Sequence, residues 1–200
     1  MGTIAPSIED FPLPKFVEGG CLCGSLRYRV DFPEDHDFKK SVSDDAISKY
    51  IVSDCLFQQS GTCQCTQCRK QSGSLFWPLH QLKPASALTW KADATLKIYK
   101  ASADAERAFC SNCGSCITWR STDQEKDAVE FAIGTVDEIY LIGEGGVEKV
   151  HTAADGEQQT IPKTGFGFAI ANGTGSHSWT ENEILGVTDG MLVRGQKLKH

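Results

Sequence analysis

Apolar and polar residues alternate along much of this chain, and the period they keep is two rather than 3.6. Leu26, Tyr28, Val30 and Phe32 share one parity, while Ser25, Arg27, Arg29 and Asp31 occupy the other. A half-buried strand reads this way, because successive side chains of an extended chain point to opposite faces. Comparable segments, each bounded by Gly, Pro, Asp or Ser, fall at Ala46 to Ser53, Leu75 to His80, Thr95 to Lys100, Cys116 to Ser121, Ala128 to Ile133 and Gly165 to Ala171. Amphipathic helical stretches are scarce, so the expected class is mainly β with few short helices. Asp35 to Asp45 is charged and reads as a loop. Gly143 to Lys163 has few large apolar residues and reads as a solvated excursion.

Composition narrows the picture. With 200 residues, 40% hydrophobic and 23% charged, the chain can bury one core without disulfide staples. Residues 1–16, which carry Pro6, Pro12 and Pro14, are expected to be a flexible N-terminal segment, and 17–200 a single domain. The 26 acidic and 20 basic residues give a net charge of −6 with no dense Lys/Arg stripe, which argues against a phosphate-backbone grip and hence against nucleic acid as a partner. No segment approaches the roughly 18 apolar residues of a transmembrane helix, and the N-terminus lacks a basic region followed by an apolar run. The expected setting is cytoplasmic, with no membrane partner.

Nine cysteines change the picture more. Seven fall in tight groups: Cys21-x-Cys23, Cys63-x-Cys65-x-x-Cys68 and Cys110-x-x-Cys113, with Cys55 and Cys116 outside that spacing. An odd total argues against complete internal disulfide pairing, and clustered free thiols in a reducing compartment bind metal. Cys21 and Cys23 have the same parity in an extended chain and can present two sulfurs to one ion just before Gly24. Together with Cys110 and Cys113 they make a closed four-thiolate zinc site of the structural kind. Phe109-Cys-Ser-Asn-Cys-Gly-Ser resembles a zinc knuckle, whose glycine lets backbone amides approach the thiolates. The bland reading, in which these are buried small hydrophobic residues, competes with it.

Cys63, Cys65 and Cys68 are three ligands with no fourth at zinc-finger spacing, and a three-ligand zinc keeps a position for water or substrate. Cys55 is the residue able to close that position, although its context, Val52-Ser-Asp-Cys-Leu-Phe57, reads as strand and points it into the core. Two zinc ions per chain follow. Three thiolates leave zinc with a formal charge of −1, which suits ligand exchange with another thiol better than hydrolysis. Arg69 and Lys70, directly after Cys68, are candidate docking cations for an anionic substrate.

Three segments in order, Gly20-Cys-Leu-Cys-Gly-Ser-Leu-Arg-Tyr, Cys63-Gln-Cys-Thr-Gln-Cys-Arg-Lys-Gln-Ser-Gly and Arg107-Ala-Phe-Cys-Ser-Asn-Cys-Gly-Ser, resemble the glutathione-dependent formaldehyde-activating enzyme family, also called the centromere-protein-V-like family. Gly134-Thr-Val-Asp137, His177-Ser-Trp179 and Gly186-Val-Thr-Asp-Gly190 resemble its later segments. The resemblance implies a β-tent fold of small antiparallel sheets held by a structural zinc on Cys21, Cys23, Cys110 and Cys113. It implies a catalytic zinc on Cys63, Cys65 and Cys68. Members usually carry His where this chain has Gln64, and Asp35 to Gly61 and Gly143 to Lys163 look longer than in compact members.

The activity implied is that of a carbon–sulfur lyase acting on a thiol adduct such as S-hydroxymethylglutathione or another glutathione conjugate. The competing reading is a non-catalytic zinc module that binds a protein partner. His80, His177 and Asp137 are candidates for a general base, each more often structural than catalytic. Gly165-x-Gly167 lacks the third glycine of a dinucleotide fingerprint, and Asn172-Gly-Thr174 is a glycosylation sequon in form only.

Overall fold

A computed structural model describes residues 12–38, 60–123, 127–171 and 176–178, together with Asn182 and Ile184. The strand expected at Ala46 to Ser53, Cys55, Asn172-Gly-Thr174, Trp179 and the 186–190 stretch lie outside the described residues. Among the described residues twelve strands run in chain order: β1 (Phe16–Gly20), β2 (Arg27–Asp31), β3 (Ser60–Cys63), β4 (Trp77–Leu82), β5 (Leu88–Ala92), β6 (Leu96–Ser102), β7 (Ala105–Cys110), β8 (Cys116–Ser121), β9 (Val129–Ala132), β10 (Lys149–Thr152), β11 (Gln158–Ile161) and β12 (Ser176–Ser178). Three short helices interrupt them: α1 (Thr66–Ser72), α2 (Glu138–Ile142) and α3 (Gly167–Ala171). Among the described residues no helix is long and apolar enough to cross a membrane.

The strands form a sheet ordered β1-β2-β5, the hairpin β10-β11, and a seven-stranded sheet ordered β12-β3-β4-β9-β8-β7-β6. Pairing is antiparallel except between β12 and β3, which run parallel. The large sheet has two different faces, and the period of two sorts its residues. Leu82, Val129 and Phe131 point into the main core, where they meet Phe16, Leu26, Tyr28 and Val30 from β1 to β2. Trp77, Leu79, Trp119 and Ala132 point the other way and pack around Cys63, Cys65 and Cys68. A bulge between Ala108 and Phe109 turns the consecutive residues Ile117 and Thr118 both to the core side, Thr118 opposite Phe131, while the Cys116 thiol donates to the Gln71 carbonyl of α1 at 3.1 Å.

On the core face, His80 and His36 form a buried pair with their Nε2 atoms 2.9 Å apart. The His80 Nδ1 lies 3.1 Å from the Ile170 carbonyl, so that nitrogen carries the hydrogen and Nε2 accepts from His36. Phe32, Phe38 and Phe131 crowd the two rings.

Two sequence expectations change here. Gly165 to Ala171 ends in a helix rather than a strand, because the residues it buries, Phe166, Ala169 and Ile170, stand at i, i+3 and i+4. The stretch from Gly143 to Lys163 is exposed along most of its length, yet it is more than an excursion, since its hairpin clasps β1 and β2. Gln159 Oε1 accepts from the Lys15 amide at 2.8 Å and its Nε2 donates to the Phe16 carbonyl at 2.7 Å. Arg29, 3% exposed, stacks 3.8 Å over the Phe16 ring and donates to Asp31 and Asp155, each at 2.7 Å, and to Glu157. Polar side chains make these contacts, so apolar periodicity could not signal them.

Candidate metal centres

The first thiol group assembles at one end of β7. Cys110 is the last residue of that strand and fully buried, and Cys113 follows in the turn to β8. In this turn the Gly114 amide donates to the Cys110 carbonyl at 2.9 Å with the glycine at φ +78°, a conformation that a side chain would strain. Cys21 and Cys23 converge on them from the turn between β1 and β2. The expected extended pair is therefore a turn, closed by the Gly24 amide on the Cys21 carbonyl at 3.0 Å. The four sulfurs lie within 4.8 Å of one another, with Cys21 and Cys23 at 3.4 Å and Cys23 and Cys110 at 3.8 Å.

Two thiolates on a tetrahedral zinc with Zn–S bonds near 2.3 Å stand about 3.8 Å apart, so the residues fit such an ion. The surroundings favour thiolates at Cys23 and Cys113, while burial pushes the Cys21 thiol up. The Leu26 amide and the Asn112 side chain donate to Cys21 and Cys23 at 3.2 and 3.3 Å. A hydrogen bond with Ser25, the largest influence, holds Cys23 down to about 5, and Ser115 holds Cys113 down to about 7.

The second group is smaller and sits on the other face of the large sheet. Cys63 ends β3, Cys65 caps α1 with its sulfur accepting from the Cys68 amide at 3.3 Å, and Cys68 lies buried in the helix. These three sulfurs also lie within 4.8 Å of one another. Crowding splits their proton affinities: hydrogen bonds from Cys63 and then Cys68 pull Cys65 down to about 2, while Cys63 is driven upward. A soft, three-sulfur donor set of this size fits zinc and leaves one tetrahedral position to another ligand. Gln64, between two of the cysteines, is buried, and its Oε1 has no partner among the described residues.

Arg69 and Lys70 occupy the last turn of α1, half-exposed and exposed. The cation that touches a sulfur is instead Arg107 of β7, 4% exposed. It donates to Cys68 Sγ at 3.5 and 3.6 Å, to Gln71 Oε1 at 2.7 Å and to Gln67 Oε1 at 3.4 Å. The sequence placed Arg107 in the knuckle segment; its signal as a site residue is that a charged residue falls within a strand of buried residues, Arg107-Ala108.

The general-base candidates separate. His80 is 0% exposed and on the core face, away from the thiols. Asp137 accepts two hydrogen bonds from Arg27, which occupy both its oxygens. His177 belongs to β12, whose register pairs it with Thr62. A carboxylate that sequence reading passed over, Glu130 of β9, lies on the thiol-bearing face and accepts from Gln81 Nε2 at 3.4 Å. Burial pushes it up to about 7 against the opposing pull of Arg107 and Gln81.

A family model described as "Glutathione-dependent formaldehyde-activating enzyme" matches residues 49–152. A protein of Halomonas elongata named "Putative glutathione-dependent formaldehyde-activating enzyme" is 27% identical over 106 residues, covering 50% of this chain and 54% of its own. The chain thus spans about half the length of that curated relative.

Proposed function

The chain belongs to the glutathione-dependent formaldehyde-activating enzyme family, and from that membership we propose that it is a zinc-dependent carbon–sulfur lyase forming or cleaving a thiol adduct of the S-hydroxymethylglutathione type. In this reading residues 17–200 are one β-tent domain, Cys21, Cys23, Cys110 and Cys113 hold a structural zinc, and Cys63, Cys65 and Cys68 hold a catalytic one. The observation that carries it is the inequality of the two thiol groups. Among the described residues one brings together four sulfurs, the other three beside a buried arginine. A closed site contributes folding free energy, and an open one serves chemistry.

Cys63, Cys65 and Cys68 would hold the zinc, which when bound would act as a Lewis acid that lowers the pKa of a coordinated substrate thiol. The protein's own residues do the remaining work. Arg107 offsets the surplus negative charge of three thiolates, and its bonds to Gln67 and Gln71 fix α1 against β7. Trp77, Leu79, Trp119 and Ala132 form an apolar floor that limits water beside the reacting sulfur. Arg69 and Lys70 remain docking cations for an anionic thiol. The eight described cysteines are all free of disulfides, which suits a reducing, cytoplasmic setting.

The test is interconversion of formaldehyde plus glutathione with S-hydroxymethylglutathione, followed by exchange NMR on the zinc-loaded protein. Acceleration that disappears in Cys65→Ser supports the proposal. A protein that holds two zinc ions and accelerates nothing is the non-catalytic, partner-binding module instead.

A further inference from the structure

The registers of the large sheet line up one row of side chains beside the three-thiol group. Arg107 of β7 stands opposite Trp119 of β8, Trp119 opposite Glu130 of β9, and Glu130 opposite Gln81 of β4. Residues directly opposite in a sheet share a face. That face is the one carrying the thiols, because Arg107 touches Cys68 and Trp119 packs on the group. Ala132 and Leu79, two residues along from Glu130 and Gln81, belong to the same apolar floor. Glu130 therefore stands beside Trp119 of that floor, about 7 Å along its strand from Ala132 and about 10 Å across two strand spacings from Arg107.

We propose that Glu130, oriented by Gln81, is the receptor for a protonated amine on the substrate, so that the site selects thiols that also bear an ammonium group. The assignment rests on the thiol-adduct reading above. Its basis is a carboxylate that burial destabilises and that has no cation in contact with it among the described residues. Among the described residues no lysine, arginine or histidine forms an ion pair with Glu130. Arg107, the cation in the row, is committed to Cys68, Gln67 and Gln71, with Trp119 standing between it and Glu130.

A carboxylate largely removed from water without a counter-ion is costly. The rise of its pKa to about 7, with burial the largest cause, records that cost. An incoming ammonium relieves it, and does so only for ligands that carry one. Glu130 retains a partly exposed face through which a ligand can approach.

The experiment uses the zinc-loaded full chain and two probes, glutathione and its des-amino analogue, in which hydrogen replaces the amine. Binding at pH 7.5 is measured calorimetrically for wild type, Glu130→Gln and Glu130→Asp, with metal content recorded for each. The wild type is expected to prefer glutathione by about tenfold, the scale of a partly desolvated charge pair. Glu130→Gln should erase that preference by weakening glutathione alone, and Glu130→Asp should retain part of it. Equal wild-type affinity for the two probes overturns the assignment without needing any variant to fold. Equal weakening of both probes in Glu130→Gln also overturns it, as does unchanged binding with lost turnover, which would mark Glu130 as a proton carrier. Failure of both probes to bind the wild type overturns the thiol-adduct reading itself.

Discussion

Arg107 aims two N–H groups at the sulfur of Cys68, at 3.5 and 3.6 Å, from a strand that ends three residues later at Cys110. One strand thus supports both thiol groups, by a cation at the three-thiol group and a sulfur at the four-thiol group. Replacing Arg107 by Gln should weaken metal binding at the three-thiol group by about 10- to 100-fold, the usual loss when a ligand's hydrogen-bond partner is removed. The four-thiol group should keep its ion. Competition with a graded series of chelators reads both affinities, and loss of the two ions at the wild-type chelator strength would show that the contact does not tune the metal.

The two groups should also respond differently to loss of a sulfur. Cys110 is fully buried beneath the junction of the turn and the large sheet, so Cys110→Ser should melt or aggregate. Cys65, half-buried at the start of a helix of seven residues, should tolerate Ser with the fold retained and thiol chemistry lost. Thermal unfolding and metal content together decide it: equal destabilisation by the two substitutions would make both sites scaffold.

Much of this arrangement was legible in the residues, and the illegible parts have physical reasons. Cysteine spacing identified both thiol groups, because two or three sulfurs within a few residues can reach one ion whatever the backbone does between them. Cys116 to Ser121 was delimited as found, and Leu75 to His80 was displaced by two residues from β4. The helix at Thr66 to Ser72 was not expected. Its residues are almost all polar, and the side that matters is held by Cys68 and by the glutamines that bind Arg107, with no apolar stripe. Glu130 and Gln81 escaped notice because their role comes from cross-strand register, which lies between segments distant in sequence. Arg29 sat on the polar parity of β2 and yet is buried, since acidic residues 126 and 128 positions away complete its environment.

The buried histidine pair makes stability depend on pH in a calculable direction. Burial holds His36 down to about 4 and His80 to about 3, against an ordinary value of 6.5; Asp35 and Asp37 pull His36 the other way, and His36 itself adds to the depression of His80. The unfolded chain therefore binds protons below 6.5 that the native state refuses. Stability is full above 6.5, falls as the pH drops, and stops falling on this account once the native pair titrates near 4 to 3. Between pH 6.5 and 5.5 each histidine contributes a loss of about 1 kcal/mol. The variant His36→Leu should lose less than wild type over that interval, as measured by urea midpoints at matched zinc content, since thiolate protonation affects both proteins equally. Parallel curves would contradict the depressed values.

Cys55 lies outside the described residues, and its chemistry can be tested directly. Cys55→Ala is expected to retain two zinc ions and near-normal turnover of the thiol adduct. Loss of one zinc, or a gain in activity from a newly opened position, would identify Cys55 as a fourth ligand.

If the group formed by Cys63, Cys65 and Cys68 holds a metal with one position for a substrate thiol, that position is open to spectroscopy. Cobalt(II) substitution measures this most directly, because its ligand-field and sulfur-to-metal charge-transfer bands report the number of thiolates on each ion. Two cobalt ions per chain are expected, one with a four-thiolate spectrum from the outset and one that acquires it on titration with glutathione. A single cobalt per chain, or two whose spectra glutathione leaves unchanged, would contradict this expectation.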